Sequence, residues 1–203
     1  KSVNRGDTWM IISPDLSTND PVKTDNFIGG LTKESGHAEI HSALITISES
    51  PLTPGLIWTG TDDGNIHITR NGGFSWENVR TNVPGVPEAT WVSRIEASHF
   101  DEGTAYLTFD GHRSDNFTTW VFKTTDYGRT WANITSNLPD NQPVYVIIED
   151  LKNPNLLFVG TEFAVYYSIT DGRTWAKLNN NMPTVAYHDL VIHSRDGDLI
   201  AGT

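Results

Sequence analysis

Three carboxylates stand at corresponding places in the chain and could carry out acid–base chemistry. Asp62 and Glu162 each follow a β-rich run that ends in Gly-Thr, and Asp110 ends another β-rich run. Glycoside hydrolysis requires two carboxyls roughly 5 to 10 Å apart, one as the acid and one as the nucleophile or base. These three residues are the candidate catalytic residues, but their spacing does not define a complete catalytic set, so whether the protein is an enzyme stays open.

A second group of residues mixes aromatic rings, cations and hydrogen-bonding groups, which is the chemistry of a ligand-binding surface. Such a mixture suits a sugar or a peptide. For any one of these residues, the alternative is a solvated loop or a hydrogen bond between neighbouring structural units. The candidate ligand-binding residues are Glu39, His41, Trp91, Arg94, His112, Arg113, Tyr145 and His188.

One segment of the chain carries potential metal ligands at every second position. His37, Glu39 and His41 would share one face of an extended strand, because alternate residues of a strand point the same way. A tetrahedral metal would need a fourth ligand. We therefore predict a polar lining here, with no metal and no cofactor.

The composition excludes several classes of protein. Lys and Arg number 14 against 25 Asp and Glu, which gives a net charge of −11. This charge repels phosphate and argues against nucleic-acid partners. The absence of cysteine excludes disulfides and thiolate zinc sites. Apolar runs such as 144–148 are too short for a transmembrane segment.

An eight-residue phrase ending in tryptophan occurs four times. Its pattern is Ser/Thr-x-Asp/Asn-x-Gly-x-Thr/Ser-Trp, and we call each copy a box: 2–9, 69–76, 124–131 and 168–175. In the last box Thr170 takes the third position and the acid moves to Asp171, so we expect that turn to be the least regular.

Two further phrases recur in phase with the boxes. A Gly-Thr pair ends β-rich runs at 60–61, 160–161 and 202–203, and Asn-x-Pro follows the boxes at 82–84, 137–139 and 181–183. Successive box tryptophans lie 67, 55 and 44 residues apart. The shortest spacing matches the roughly 40 to 50 residues of a four-stranded propeller blade.

Each repeat resolves into four short strands, which we call A to D, without helical periodicity. The sequence therefore predicts an all-β fold, a β-propeller fragment of about three and three-quarter blades built from four-stranded antiparallel sheets. An orphan D strand is expected at Thr8–Ser13, and in the third complete blade the strands are expected at 144–150, 156–161, 165–169 and 174–178. The expected parts are the end of a preceding blade at 1–13, an inserted loop at 14–38, blades at 39–79, 91–135 and 144–178, and the first half of a following blade at 186–203.

The boxes are interpreted as structural. The side chain at the third position can accept backbone N–H bonds, glycine adopts conformations that other residues avoid, and tryptophan buries a large ring under the turn. The residues assigned this role are Asn4, Trp9, Asn71, Trp76, Asp126, Trp131, Asp171 and Trp175.

These phrases resemble Asp-boxes, also known as bacterial neuraminidase repeats, which occur in sialidases, two-propeller xyloglucanases and the sortilin (VPS10) propeller. The resemblance extends to 58–64, 91–95 and 109–115 and is closest to bacterial sortilin-like or glycosyl-hydrolase BNR-repeat proteins. It implies a propeller that is extracellular or periplasmic. Because the group joins hydrolases with receptors, the resemblance leaves the function open.

The two long insertions, 14–38 and 110–119, are expected on the face opposite the boxes, and insertions on one face often form a binding surface. A non-catalytic binding propeller for a peptide, protein or glycan is therefore expected; a glycoside hydrolase is the alternative. A sialidase would need three arginines, whereas this face offers chiefly Arg94 and Arg113. Open blade edges require the remainder of a larger propeller or a partner chain to cover them.

Overall fold

Three consecutive four-stranded sheets and a terminal hairpin make up the fold. The computed structural model describes residues 1–21 and 41–203, and within them fourteen strands form antiparallel sheets. Blade 1 holds β1 to β4, blade 2 holds β5 to β8, blade 3 holds β9 to β12, and β13 and β14 form the terminal hairpin. In chain order the strands are Leu44–Glu49, Ile57–Thr61, Ile66–Thr69, Glu77–Asn78, Trp91–Ala97, Ala105–Asp110, Trp120–Thr124, Ala132–Asn133, Val144–Glu149, Leu157–Thr161, Val165–Ser168, Ala176–Lys177, Asp189–Ile192 and Leu199–Gly202.

The predicted all-β propeller fragment is confirmed. In every blade the strands follow one another in sequence order across the sheet, and the inner strands β1, β5, β9 and β13 come from successive units. Short 3-10 turns occur at Arg80–Asn82 and His112–Ser114. No helix among the described residues is long and apolar enough to cross a membrane.

The core lies between neighbouring blades, and the glycine of the Gly-Thr phrase lets them approach. A Cβ on Gly60 would lie 2.3 Å from Cγ1 of Val92 in the next blade, and one on Gly160 would lie 2.6 Å from the carbonyl oxygen of Tyr187. Because neither distance leaves room for a methyl group, only glycine permits this packing.

The boxes are hydrogen-bonded turns, as predicted. The amide of Thr130 donates to Asp126 Oδ1 at 2.9 Å, and the amide of Gly128 donates to Thr124 Oγ1 at 2.9 Å. The same two bonds occur in the boxes at 2–9 and 69–76. The third-position side chain therefore belongs to the turn itself.

The fourth box corrects one expectation. Its turn is as regular as the others, because the amide of Thr174 donates to Thr170 Oγ1 at 3.0 Å and the amide of Gly172 donates to Ser168 Oγ at 2.9 Å. A hydroxyl accepts the same bond as a carboxylate. Asp171 belongs to the box by position but is not the acceptor of these two turn bonds; its carboxylate instead pairs with Lys123 Nζ of blade 2 at 2.6 Å.

Box tryptophans contact the part of the chain that precedes their own blade. Within residues 1–21 and 41–203, Trp131 of blade 2 does so without a hydrogen bond from its indole, meeting Trp58 of blade 1 edge-on with ring centroids 6.0 Å apart. The indole Nε1 of Trp175 donates to the carbonyl of Ile134 at 2.9 Å, and that of Trp76 donates to the carbonyl of Ile12 at 2.9 Å. Trp9 is 75% exposed, so the expected burial was wrong for this copy; the described residues contain no blade before it. The expected strand at 8–13 is also missing, because no neighbouring strand is there to pair with it.

The two faces of the fold are distinguished by their turns. On the box face, the amide of Gly72 donates to the carbonyl of Gly55 in the A–B turn of the same blade at 2.9 Å. On the opposite face, which we call the site face, Thr119 Oγ1 donates to the carbonyl of Pro139 at 2.7 Å, and the amide of Thr18 donates to Asp63 Oδ2 at 2.7 Å. The described parts of both insertions lie on the site face, as expected; residues 22–38 are outside the described residues.

Candidate functional site

A pocket of about 230 Å³ opens on the site face where the inner strands begin; we call it the central pocket. Six residues that were predicted from the sequence as candidate binding or catalytic residues line it, together with two that were not predicted. The predicted lining residues are Trp91, Asp110, His112, Arg113, Tyr145 and His188, and the others are Ile45 and Ser93.

β-bulges decide which side chains of the inner strands reach the pocket. The pairing register with the neighbouring strand shifts at the same place in all three blades, leaving Ile45, Ser93 and Tyr145 as the extra residues. A bulge re-aims a side chain relative to the regular alternation of a strand. Alignment of the repeats would have placed Ile45 and Ser93 beside Tyr145, but the bulge itself has no sequence signal here.

Asp110 holds His112 in place. The carboxylate accepts the amide of His112 on Oδ1 at 3.0 Å and lies 2.5 Å from the ring Nδ1 through Oδ2. The side chain of Asp110 is 7% exposed and that of His112 is 42% exposed. The buried carboxylate thus orients a ring that is open to ligands, and Nε2 is the ring's remaining polar atom.

Glu162 does the same for Tyr145. The Tyr145 hydroxyl donates to Glu162 Oε2, and burial, followed by this hydrogen bond, raises the pKa of the phenol above its ordinary value. The tyrosine therefore remains a neutral hydrogen-bonding ring. Its centroid lies 4.5 Å from that of His188, with the ring planes tilted by 41°, and His112 meets it edge-on at 6.5 Å.

Arg113 completes the pocket rim. Its guanidinium carbon lies 4.1 Å from the centroid of the Trp91 ring, within the range of a cation–π contact. Both residues are held by the chain near one strand end, since Trp91 opens β5 opposite Asp110, the last residue of β6. Arg113 follows in the 3-10 turn after that strand.

Other residues chosen from the sequence lie elsewhere. Asp62 is buried and its Oδ1 accepts the amides of Ser42 at 2.9 Å and Ala43 at 2.8 Å, so it organises the chain before β1 rather than the pocket. Arg94 forms an ion pair with Asp189. Glu39 lies outside the described residues, and His41 is not among the residues that line the central pocket.

A second cavity, of about 270 Å³, lies farther along the same inner strands; we call it the acidic cavity. The pKa of Glu96 is raised to about 7, chiefly by burial; His99 and Arg94 oppose this shift, and the Glu149 and Asp189 carboxylates add to it. Glu149 is buried and accepts bonds from Ser98, the His99 amide and the Tyr106 hydroxyl. The charged residues that line this cavity are Arg94, Glu96, His99, Glu149 and Asp189.

Neither the central pocket nor the acidic cavity is a metal centre on the geometry shown. Within residues 1–21 and 41–203, no group of three or more His, Asp or Glu side chains is placed to hold a metal ion. Of the segment considered as a metal site in the sequence, His37 and Glu39 are outside the described residues.

Comparison with solved structures identifies the fold. No family model and no curated protein matches the chain. Its fold is similar to the GH74 enzyme of Niastella koreensis, at a TM-score of 0.61 and 13% identity over 79% of this chain and 26% of that one. It is also similar to the extracellular domain of BT4673 from B. thetaiotaomicron, at 0.59 and 14% over 83% and 21%, and to YCF48 bound to D1 peptide, at 0.55 and 18% over 78% and 47%.

The fold is a partial β-propeller. The chain spans less than half the length of each of these structures. At such low identities the likeness concerns the arrangement of the blades, and the activity must be argued from the site.

Proposed function

We propose that this protein is a non-catalytic binding propeller that recognises a peptide, protein or glycan at the central pocket, on the face opposite the boxes. One observation carries the proposal: Asp110, which lines the pocket, and Glu162, which does not, are each already engaged with a ring of the pocket, Asp110 with His112 and Glu162 with Tyr145. These carboxylates position binding groups. The pocket also offers the ring faces and convergent polar atoms from which recognition sites are built.

The alternative is a glycoside hydrolase that uses Asp110 and Glu162 as its pair of carboxyls. Two facts favour it: the two residues come from neighbouring blades and both lie near enough to Tyr145 to raise the pKa of its hydroxyl, and the fold is similar to GH74 enzymes. For this chemistry, the carboxyls would have to exchange their present partners for the substrate.

The test compares binding and turnover in the same variants. We expect no turnover of xyloglucan or chromogenic glycosides by the protein, and weaker capture of the best ligand from a glycan and peptide array by the Tyr145→Ala variant. Asp140→Asn, an exposed acid on the same face, is the matched control. Turnover that disappears in Asp110→Asn and Glu162→Gln, but not in the control, would establish the hydrolase instead.

We also propose that further blades, from a larger propeller or a partner chain, cover the open ends. Leu44 and Ile47 are 50% and 63% exposed, whereas the residues at the same register positions of β5 and β9 are buried between blades. At the other end, Val191 and Ile200 are also exposed. Such apolar surface on both outer sheets supports a neighbour at each end.

The finer family assignment and the location belong to this proposal. The regular box turns support membership of the Asp-box group that includes bacterial sortilin-like BNR-repeat proteins. The likeness to the extracellular domain of BT4673 supports an extracellular or periplasmic protein. Detection of the protein in the cytoplasmic fraction alone would count against that location.

A further inference from the structure

The guanidinium of Arg113 is held in place but has no anionic partner. It stacks on Trp91 at 4.1 Å, and among residues 1–21 and 41–203 no group accepts a hydrogen bond from it or forms an ion pair with it. Stacking occupies the face of the planar group and leaves its N–H edge available. The N–H groups of Arg113 are therefore available to an anionic ligand.

Neighbouring charges do not use this donor. Asp110, the acid that lines the pocket, is bonded to His112. Glu162, outside the lining, is bonded to Tyr145, and Arg94 has its own partner in Asp189. The rim of the central pocket thus presents an unpaired cation in a protein whose net charge is −11. An edge-on guanidinium is the geometry that binds a carboxylate in bidentate fashion.

We propose that Arg113 binds the carboxylate of a hexuronate residue, so that the ligand of the central pocket is an acidic glycan. This inference rests on the proposed binding function and names its ligand. A pocket of about 230 Å³ fits one sugar ring better than a peptide segment of several residues. The Tyr145 and His188 rings provide stacking surface for that sugar, and Nε2 of the exposed His112 ring is available to hydrogen-bond its hydroxyls.

The test uses a galacturonic acid oligosaccharide and its methyl ester, which has the same rings without the charge. Titration calorimetry should show that the acid binds about tenfold or more tightly than the ester, the range expected for hydrogen bonds to a charged group. Arg113→Gln should abolish that preference, because the acid loses far more affinity than the ester. Arg113→Lys should restore part of it, because lysine keeps the charge but not the planar fork. Arg129→Gln, an exposed arginine on the box face, is the matched control and should behave as the unmodified protein.

The outcomes separate this inference from the function on which it rests. Equal affinities for acid and ester, with binding lost in Tyr145→Ala, would overturn the hexuronate ligand and leave a binding propeller for neutral glycans. Arg113-dependent binding of an acidic peptide without binding of either oligosaccharide would overturn the glycan and keep the binding function. Cleavage of the oligosaccharide would overturn the non-catalytic function itself.

Discussion

The side chain of Asn137 bonds twice to the backbone of Trp175 in the next blade. Its Oδ1 accepts the Trp175 amide at 2.7 Å and its Nδ2 donates to the Trp175 carbonyl at 2.9 Å. Asn82 reaches the next box in a similar way, donating to the carbonyl of Gly128 at 2.8 Å. The Asn-x-Pro phrase of one blade therefore ties down the box of the blade that follows.

Replacing Asn137 by aspartate should weaken the junction between blades 2 and 3. The carboxylate keeps an acceptor for the Trp175 amide but places a second acceptor against its carbonyl, so we expect a loss of about 1–3 kcal/mol in the free energy of unfolding. Urea unfolding measures it. Asn181→Asp is the matched control, because Asn181 holds the same position in the third phrase but, within residues 1–21 and 41–203, its side chain bonds to no following box; equal losses in both variants would contradict the role given to Asn137.

Alanine at Gly60 should destabilise the contact between blades 1 and 2. The added methyl group would overlap Val92, whose Cγ1 lies 2.3 Å from the ideal Cβ position, and overpacking of this kind costs about 1–3 kcal/mol. Gly202 is the glycine of the third Gly-Thr phrase, yet a Cβ there would have no neighbour closer than 3.6 Å. Thermal unfolding should therefore show a clear loss for Gly60→Ala and almost none for Gly202→Ala.

The fourth box should accept the aspartate that the second blade carries at this position. Thr170→Ala removes the acceptor for the Thr174 amide and should cost about 0.5–1.5 kcal/mol, whereas Thr170→Asp supplies the same acceptor as Asp126 and should cost nothing measurable. Chemical denaturation of the two variants decides this. A Thr170→Asp variant as unstable as Thr170→Ala would show that this box differs from the others after all.

The acidic cavity should make stability depend on pH near neutrality. Burial raises the pKa of Glu96 from 4.5 to about 7, and the hydrogen bond with Glu149 raises the pKa of His99 above 6.5. The folded state binds the protons of Glu96 and His99 more tightly than the unfolded chain does. The stability that Glu96 contributes in this way is therefore complete below pH 4.5 and is lost as the pH rises through about 7. The contribution of Glu96 is on the order of 3 kcal/mol at most.

The effect is measured as the difference in the free energy of unfolding between the unmodified protein and Glu96→Gln, followed from pH 5 to pH 8.5. Relative to the variant, the unmodified protein should lose stability across that range. The difference is needed because burial lowers the pKa of His67, which acts in the opposite direction below pH 6.5. Glu88→Gln, an exposed acid, is the control, and a pH-independent difference for Glu96→Gln would refute the role of burial.

The repeats predicted the blades because their information is local. A box closes on hydrogen bonds between residues four apart, so Asp126 and Thr130 specify their turn wherever the chain carries them. The Gly-Thr phrase of Gly60 and the Asn-x-Pro phrase of Asn137 were recognised as repeats. Their role in packing was not predicted, because each contacts the blade that follows its own. The predicted burial of Trp9 was wrong for the same reason: a box tryptophan is buried against a preceding blade, and the described residues contain no blade before Trp9.

The sequence by itself determined the fold class, the order of strands and the face on which the long loops emerge, since alternating side chains and turn residues act over a few positions. Only the tertiary structure decided the site. Trp91, Tyr145 and His188 are far apart in the chain and meet because the inner strands of successive blades lie side by side. Bulges then turn Ser93 and Tyr145 into the same pocket, and that register depends on pairing with a neighbouring strand, which no single segment encodes.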